Sequence, residues 1–518
     1  MAIRQSSLLR STLTNWLGLI TALAVTLIFA PLCLTYLGPE RFGVYGIARQ
    51  AIGFLMILDL GILGAVNRLT ARHVALGDKE GINRVVSVSF FLYGGLSLVA
   101  LALGVGAALL GPGFFHVSPE FANQTLCLFA LLGLNLAVTL IGYPWTGLLY
   151  SHNRYDLVNS GIVGSRVLSM ALVIVAFQCG LTSLGAVGLA MTIPTVLQWF
   201  YVRLMARRQC PSLTIAGHYA TRDGVREVVG FSLWNLLYNV GAMVILSSDN
   251  ILIGRLLGPD RVPYYYLPFQ LITVGHILVV GMSSALTPMA AGMAAGGGGK
   301  ELRPTLVRTT RIALVIALCA NGVMIVMAKS FLPLWVREPG YEGSWVIYAV
   351  LMGGFWAFFA AMPAYNMLLG AGDIRGPAIG IALCGAAAVA VKIVLAKGLG
   401  LGLVAIAWGT TGPLLLFSGL YMPWAASRMV GMPLGRLYVE AYLGPIACLI
   451  PVLGGGAVLV HFFPPANLLV WALWFALLAG AYVGLCWPIL DAADRARILG
   501  LIQRGQPMGE SDGPTSAP

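Results

Sequence analysis

Leu37-Gly38-Pro39-Glu40-Arg41 recurs 220 residues further on as Leu257-Gly258-Pro259-Asp260-Arg261. The same offset pairs Leu13, Asn15 and Leu17 with Leu233, Asn235 and Leu237. It also pairs Tyr45, Gln50, Leu58 and Gly61 with Tyr265, Gln270, Leu278 and Gly281, and Leu148-Leu149 with Leu368-Leu369. Apolar matches arise cheaply in a greasy chain, but a shared LGPxR with aligned Asn, Tyr and Gln does not. The chain reads as two copies of one unit.

The unit is a set of membrane helices. Of 518 residues, 58% are hydrophobic and 10% charged, against about 45–50% and about 25% in an ordinary soluble domain. Mean hydropathy is +0.86, and a water-soluble fold of this composition would expose large apolar patches. The polar residues cluster between apolar runs of about 20 residues, which cross a bilayer as helices rising 1.5 Å per residue. Fourteen such segments are expected. Twelve cover about 12–36, 44–66, 85–110, 124–150, 158–178, 184–205, 229–253, 264–290, 309–332, 345–369, 378–397 and 402–423, and two more follow at 439–461 and 467–490.

Six segments separate the two copies, an even number, so both enter the membrane in the same direction. Parallel repeats related by an axis along the membrane normal are a transporter architecture. The expected fold is an all-α polytopic membrane protein of about 14 transmembrane helices. A six-helix bundle spans 1–205, a cytoplasmic linker 206–228, a second six-helix bundle 229–424, two extra helices 439–490, and a partly disordered cytoplasmic tail 491–518.

Lys and Arg number 31 against 19 Asp and Glu, a net charge of +12. On a soluble protein this would suggest nucleic acid; here the charge belongs to loops, and no nucleic-acid partner is expected. With the N-terminus cytoplasmic, 22 basic residues fall in cytoplasmic stretches and six on the opposite side. Arg49, Arg166 and Lys392 remain inside apolar runs. The bias puts both termini in the cytoplasm. No small-residue cleavage site follows the cationic Met1–Arg10, which reads as the start of the first helix. The eight cysteines never fall within four residues of one another, so neither zinc nor redox spacing exists and free thiols are expected. The Gly296–Gly299 run before Lys300 lacks the phosphate-loop pattern, because Ala294 and Glu301 stand where glycine and Ser or Thr are needed. It reads as a flexible linker.

Several strings resemble the multidrug/oligosaccharidyl-lipid/polysaccharide flippase superfamily: Tyr36 to Tyr45 (YLGPERFGVY), Leu58-Asp-Leu-Gly61 running to Asn67-Arg68, and Asp249 to Gly254 (DNILIG) before Leu257-Gly258. Within it the chain is similar to the polysaccharide transporter branch, with its Wzx-type O-antigen and exopolysaccharide flippases. The resemblance covers about residues 10–425. It implies a non-enzymatic secondary transporter of the bacterial inner membrane that flips an undecaprenyl-pyrophosphate-linked oligosaccharide by alternating access. It also implies membrane lipids and other polysaccharide-assembly proteins as partners. No cofactor is implied beyond coupling to a proton or sodium gradient. A cation-coupled drug exporter and a peptidoglycan lipid-precursor flippase of the same superfamily stay open. So does a membrane-embedded polysaccharide polymerase or glycosyltransferase, although the longest outer loops, 111–123 and 333–344, carry few polar residues.

The repeat also locates candidate residues. Arg49 and Asp59 correspond to Phe269 and Val279, so one copy carries charges that the other lacks. Buried charge in a membrane persists chiefly when it pairs or lines a wet cavity. Arg49 is a candidate for a forked contact with a diphosphate, or for snorkelling to the headgroups. Arg166 faces the same alternatives, and for Lys392 snorkelling is the stronger reading. Asn15, Asn235, Asn239, Gln50 and Gln270 are candidate cavity residues, or interhelical hydrogen-bonders. Asp59 could bind a coupling cation or pair with Arg68 or Asn67; Asp249, beside Asn250, could couple an ion or serve as a gate or cap. His276 could titrate near neutrality or simply pack. Pro31, Pro268, Pro288 and Pro363 offer bending points. Acidic residues are not an alternative metal set, and no metal is expected.

The charge bias is tested at the tail. A reporter active only in the periplasm, fused after Pro518, is expected to stay silent; activity there would overturn the topology.

Overall fold

The computed structural model describes residues 2–290 and 302–491, apart from 60, 220, 230–232, 284–285, 288 and 339, together with Arg495. Pro288, the Gly296–Gly299 run, the tail after 491 and the side chain of Asn15 lie outside the described residues. Among the described residues the regular structure is helical and no strand is present. The first half consists of α1 (Ala2–Leu55), α2 (Ile62–Leu76), α3 (Lys79–Phe114), α4 (Ala122–Ser151), α5 (Tyr155–Gln178) and α6 (Leu184–Gln209). The second holds α7 (Leu233–Ser247), α8 (Asp249–Leu256), α9 (Val262–Ser283), α10 (Leu302–Val336), α11 (Ser344–Ala371), α12 (Arg375–Gly398) and α13 (Gly402–Met429). Last come α14 (Leu434–Phe462) and α15 (Leu468–Ile489). All eight cysteines are free.

Among the described residues, 12 helical spans are long and apolar enough to cross a membrane, or 13 with the bent pair α7–α8. The first, Thr21–Leu76, runs 56 residues. That is about 84 Å of helix, far beyond one crossing of a ~30 Å hydrocarbon core. Gly38 interrupts it with φ 76° and ψ 170°. Read as two crossings, it accounts for the remaining apolar segment of the sequence.

Gly38 shows why the LGPxR string repeats. Its mate Gly258 has φ 103° and ψ 152°, and both angles fall in a region essentially restricted to glycine. Pro39 and Pro259 then fix φ for the residues that restart the helix. The two copies therefore share a backbone turn as well as a string. Their side chains do different work. Glu40 accepts hydrogen bonds from Ser118 N and Oγ at 2.8 and 2.9 Å. Arg41 donates to Leu37 O and Thr182 O, each at 2.6 Å, and lies over the Phe121 ring. The first turn thus fastens the α3–α4 and α5–α6 connections, whereas Asp260 and Arg261 pair with each other at the surface, 3.4 Å apart.

Within the first half α3 packs on α4, α4 and α5 on α6, and α1 on α5; within the second, α12 packs on α7 and α11 on α9, α10 and α13. The halves meet along α1, which lies against α8, the Pro259–Arg261 turn and α9. Contact there is backbone to backbone: a Cβ on Gly43 would stand 1.8 Å from Pro259 O. The 206–228 segment, expected as a cytoplasmic linker, is tied to the first half. Asn83 exchanges hydrogen bonds with Thr214 at 2.9 and 3.1 Å, and Ser87 accepts from Ala216 N at 3.2 Å. The last two helices attach to α10. Arg311 donates to Glu440 O and Ile489 O at 2.8 and 2.9 Å, and Trp471 Nε1 to Met327 O at 3.2 Å.

The second half contains a break. α7 and α8 meet at 43° around Ser248. A broken helix inside a membrane frees backbone groups that no water can satisfy. Gln50 of α1 claims two of them, donating to Leu246 O at 3.3 Å and accepting from Asn250 N at 2.9 Å. Lys392 of α12 claims a third, Ile245 O, at 3.2 Å. Its ammonium also bonds Ser248 Oγ at 2.9 Å and pairs with Asp249 Oδ1 at 2.5 Å. Tyr265 and Thr410 donate to the same carboxylate at 2.7 and 3.0 Å. Lys392 is 0% exposed and Asp249 1%. Lys392 therefore neither snorkels nor lines the cavity between the halves. The broken helix presents oxygens for all three ammonium donors, which outweighs the pull of the headgroups.

Two stability measurements follow from this packing. Gly43→Ala is expected to cost about 1–3 kcal/mol by overpacking the seam, whereas Gly53→Ala, which meets nothing within 4 Å, should be near neutral. Equal melting of the two variants in detergent would refute the backbone contact. Lys392→Met and Asp249→Asn should each cost about 3–5 kcal/mol by orphaning a buried charge. The double variant should cost clearly less than their sum; additive losses would mean the pair is not coupled.

Candidate transport cavity

A cavity of about 370 Å³ opens between the halves. Its first wall comes from α1 and α4 with Arg49, Gln50, Asn135 and Thr139, and its second from α7 and α9 with Ser247, Tyr266, Phe269 and Gln270. Repeat-equivalent residues face each other across it: Arg49 with Phe269, and Gln50 with Gln270. The two copies differ there by a guanidinium against a benzene ring. A second cavity of about 300 Å³ adjoins the first through Met56, which lines both; Asp59, Asn235 and Asn239 line it. The first cavity holds a cation, Arg49, and the second a carboxylate, Asp59.

Arg49 is exposed within this space. Its charge is felt by Tyr45 and Tyr266, yet it makes neither a hydrogen bond nor an ion pair with any described residue. Arg166 of α5 donates to Gly18 O at 3.1 Å and lies close enough to Arg49 for their charges to repel. Two cations thus share one field without a local counter-ion among the described residues. Asp59 ends the short 3-10 turn Met56–Asp59 that follows α1. Its Oδ1 accepts from Leu63 N at 3.3 Å and from the Tyr93 hydroxyl, beside the Tyr143 ring. Tyr93, in place of the expected Arg68 or Asn67, is its side-chain partner. Its Oδ2 has no partner among the described residues.

The remaining candidates divide. Gln270 lines the cavity, while Gln50 lines it and spends its amide on the α7–α8 break. Asn235 accepts from Tyr365 at 3.1 Å, and Asn239 donates to Asn235 O at 2.9 Å, so both combine cavity lining with helix bonding. Asp249 and Lys392 are sealed in the second half. His276 packs against the rings of Phe358 and Phe359, with centroids 5.7 and 6.0 Å away. Asn15 lies outside the described side chains. Asn135 was not singled out from the sequence. Its amide donates to Met191 O and Thr195 Oγ1 at 3.1 and 2.8 Å and joins α4 to α6. Asn135 and Thr139, four residues apart in the otherwise apolar stretch 126–142 of α4, were the available signal, since that spacing shares one face. Tyr93 carried none.

Residues 8–293 match the family described as "Polysaccharide biosynthesis protein". The chain is 23% identical over 348 residues to the Shigella flexneri protein named "Putative O-antigen transporter", covering 65% of this chain and 79% of that one. It is equally identical over 359 residues to "Probable multidrug resistance protein NorM" of Agrobacterium fabrum, covering 66% and 76%. Among solved structures, an inward-facing multidrug resistance MATE family transporter of the MOP superfamily aligns with TM-score 0.68 at 16% identity, over 82% of this chain and 96% of that one. The lipid II flippase MurJ, in an inward closed conformation, aligns with TM-score 0.62 at 12% identity, over 92% and 98%. With more than half its length matched, the chain belongs to the polysaccharide biosynthesis protein family, and its helical fold around a cavity between two halves is that of the MATE and MurJ structures.

Proposed function

We propose that the protein flips an undecaprenyl-pyrophosphate-linked oligosaccharide from the cytoplasmic to the periplasmic leaflet of the bacterial inner membrane, for polysaccharide export. The observation that carries this reading is Arg49, a guanidinium in the cavity between the halves with neither a hydrogen bond nor an ion pair among the described residues. An arginine left without a partner in a membrane interior is costly unless a ligand or water compensates it. A diphosphate is a suitable compensation, because it offers adjacent anionic oxygens to a planar fork of donors. Arg166 adds to the same field. The charge pattern disfavours a cationic drug, which these arginines would repel. The family match and the O-antigen transporter relative support a saccharide cargo.

The headgroup crosses inside the cavity, where Gln270, Asn235 and Asn239 offer amide groups, and Asn135 its carbonyl oxygen, to sugar hydroxyls. The polyprenyl tail stays in lipid, since burying its charged headgroup there would strip phosphate of water. Asp59, which lines the adjoining cavity and has one carboxylate oxygen unclaimed among the described residues, is the site proposed for a coupling proton or sodium ion. The 22-to-6 distribution of basic residues supports cytoplasmic termini. Other polysaccharide-assembly proteins are proposed partners, to deliver and receive the cargo.

Arg49→Ala is expected to lower glycan export at least tenfold at unchanged membrane levels, from the loss of charge-assisted bonds worth roughly 1.5–3 kcal/mol. Arg49→Lys keeps the charge but not the fork and should be partly defective. Export assayed in deletion cells and normalised to inserted protein decides: near-normal Arg49→Ala removes the residue from the site, and full rescue by lysine reduces its role to a point charge.

A further inference from the structure

We infer that the ammonium of Lys392 is a tethered substitute for a free monovalent cation, and that Asp249 Oδ1, Ser248 Oγ and Ile245 O form a cation site whose occupant is part of the chain. The three oxygens lie 2.5, 2.9 and 3.2 Å from Nζ. They comprise a carboxylate, a hydroxyl and a backbone carbonyl, the hard oxygen set that simple metal cations take. An ammonium has three donors and no acceptor, so the nest and its occupant match one for one.

The nest does not depend on the lysine for its shape. Thr410 and Tyr265 hold the Asp249 carboxylate from other helices at 3.0 and 2.7 Å. Ile245 O is turned outward by the α7–α8 break, which Gln50 holds from the opposite side. The lysine stem runs in the gap between α12 and α13, so close to Gly409 that a Cβ there would stand 2.4 Å from Lys392 Cγ. Shortening the side chain would empty that gap and leave a buried carboxylate with no other ion-pair partner among the described residues. Charge then has to be restored from the bath.

A cation that exchanges with the bath could use this spot to govern the bend, and through Gln50 the seam between the halves. A tethered one cannot leave. The second half is therefore insensitive to the sodium gradient at this position, and ion coupling, if the transporter has it, falls to the first half. The inference concerns an ion nest outside the transport cavity and stands or falls independently of the cargo.

The test is thermal unfolding of the full chain in lipid nanodiscs, in sodium, potassium or choline chloride at matched ionic strength. The wild type should melt at one temperature in all three. Lys392→Ala should melt several degrees lower in choline and recover saturably in sodium or potassium. Lys392→Met, neutral but still filling the gap, should not recover, and Asp249→Asn/Lys392→Ala should lose the salt response. The inference is overturned if Lys392→Ala melts alike in all salts, or cannot be obtained folded even in sodium and potassium. A saturable sodium response of the wild type that Asp249→Asn abolishes would overturn it equally.

Discussion

A helix that breaks in hydrocarbon must find partners for the backbone groups it frees, and in this protein that requirement organises both the second half and its contact with the first. The α7–α8 bend is held by one amide side chain from across the seam and by one ammonium from its own bundle. Neither could be exchanged for an apolar residue of the same size without leaving a carbonyl or amide unsatisfied. This is why Gln50 and Lys392, 342 positions apart in sequence, act on one place. It is also why a full charge can sit at 0% exposure in a membrane protein.

The cavity shows the opposite economy. Where the bend consumes its polar groups completely, the space between the halves leaves them open: Arg49 and Asp59 Oδ2 face it without partners among the described residues. The repeat makes the contrast informative. Phe269 occupies the site related to Arg49, so the fold does not require charge there. The two arginines near one wall raise the local potential, and the low dielectric around them makes that potential felt further than in water.

Much of this was legible in the chain. The 220-residue offset marked a shared string, and the matching angles at Gly38 and Gly258 explain why that string had to repeat: a backbone turn needs its glycine wherever it occurs. Arg49 was found because its repeat mate is apolar. Lys392 was misjudged because snorkelling is a property of one side chain and its local depth, whereas burial depended on a helix break 144 residues away. Asp59 was placed near the right chemistry but given the wrong partner, since Tyr93 reaches it only through packing of α3. The ties of 214–216 to α3 could not be read from the sequence, because Asn83 and Ser87 announce nothing by themselves.

The close approach of Gly43 to Pro259 has a mechanical consequence. Side chains that interdigitate resist rotation, because turning one surface over another means unpacking and repacking each knob. At Gly43 and Pro259 two backbones touch directly and present no such teeth, with the Phe42 and Tyr266 rings meeting edge to face beside them. The seam can therefore serve as a fulcrum placed at one end of the molecule, with the helices as lever arms. For arms of ~30 Å, set by the bilayer itself, a tilt of about 10° at the fulcrum moves the far ends by roughly 5 Å. A small rotation at one membrane surface becomes an opening wide enough for a sugar at the other.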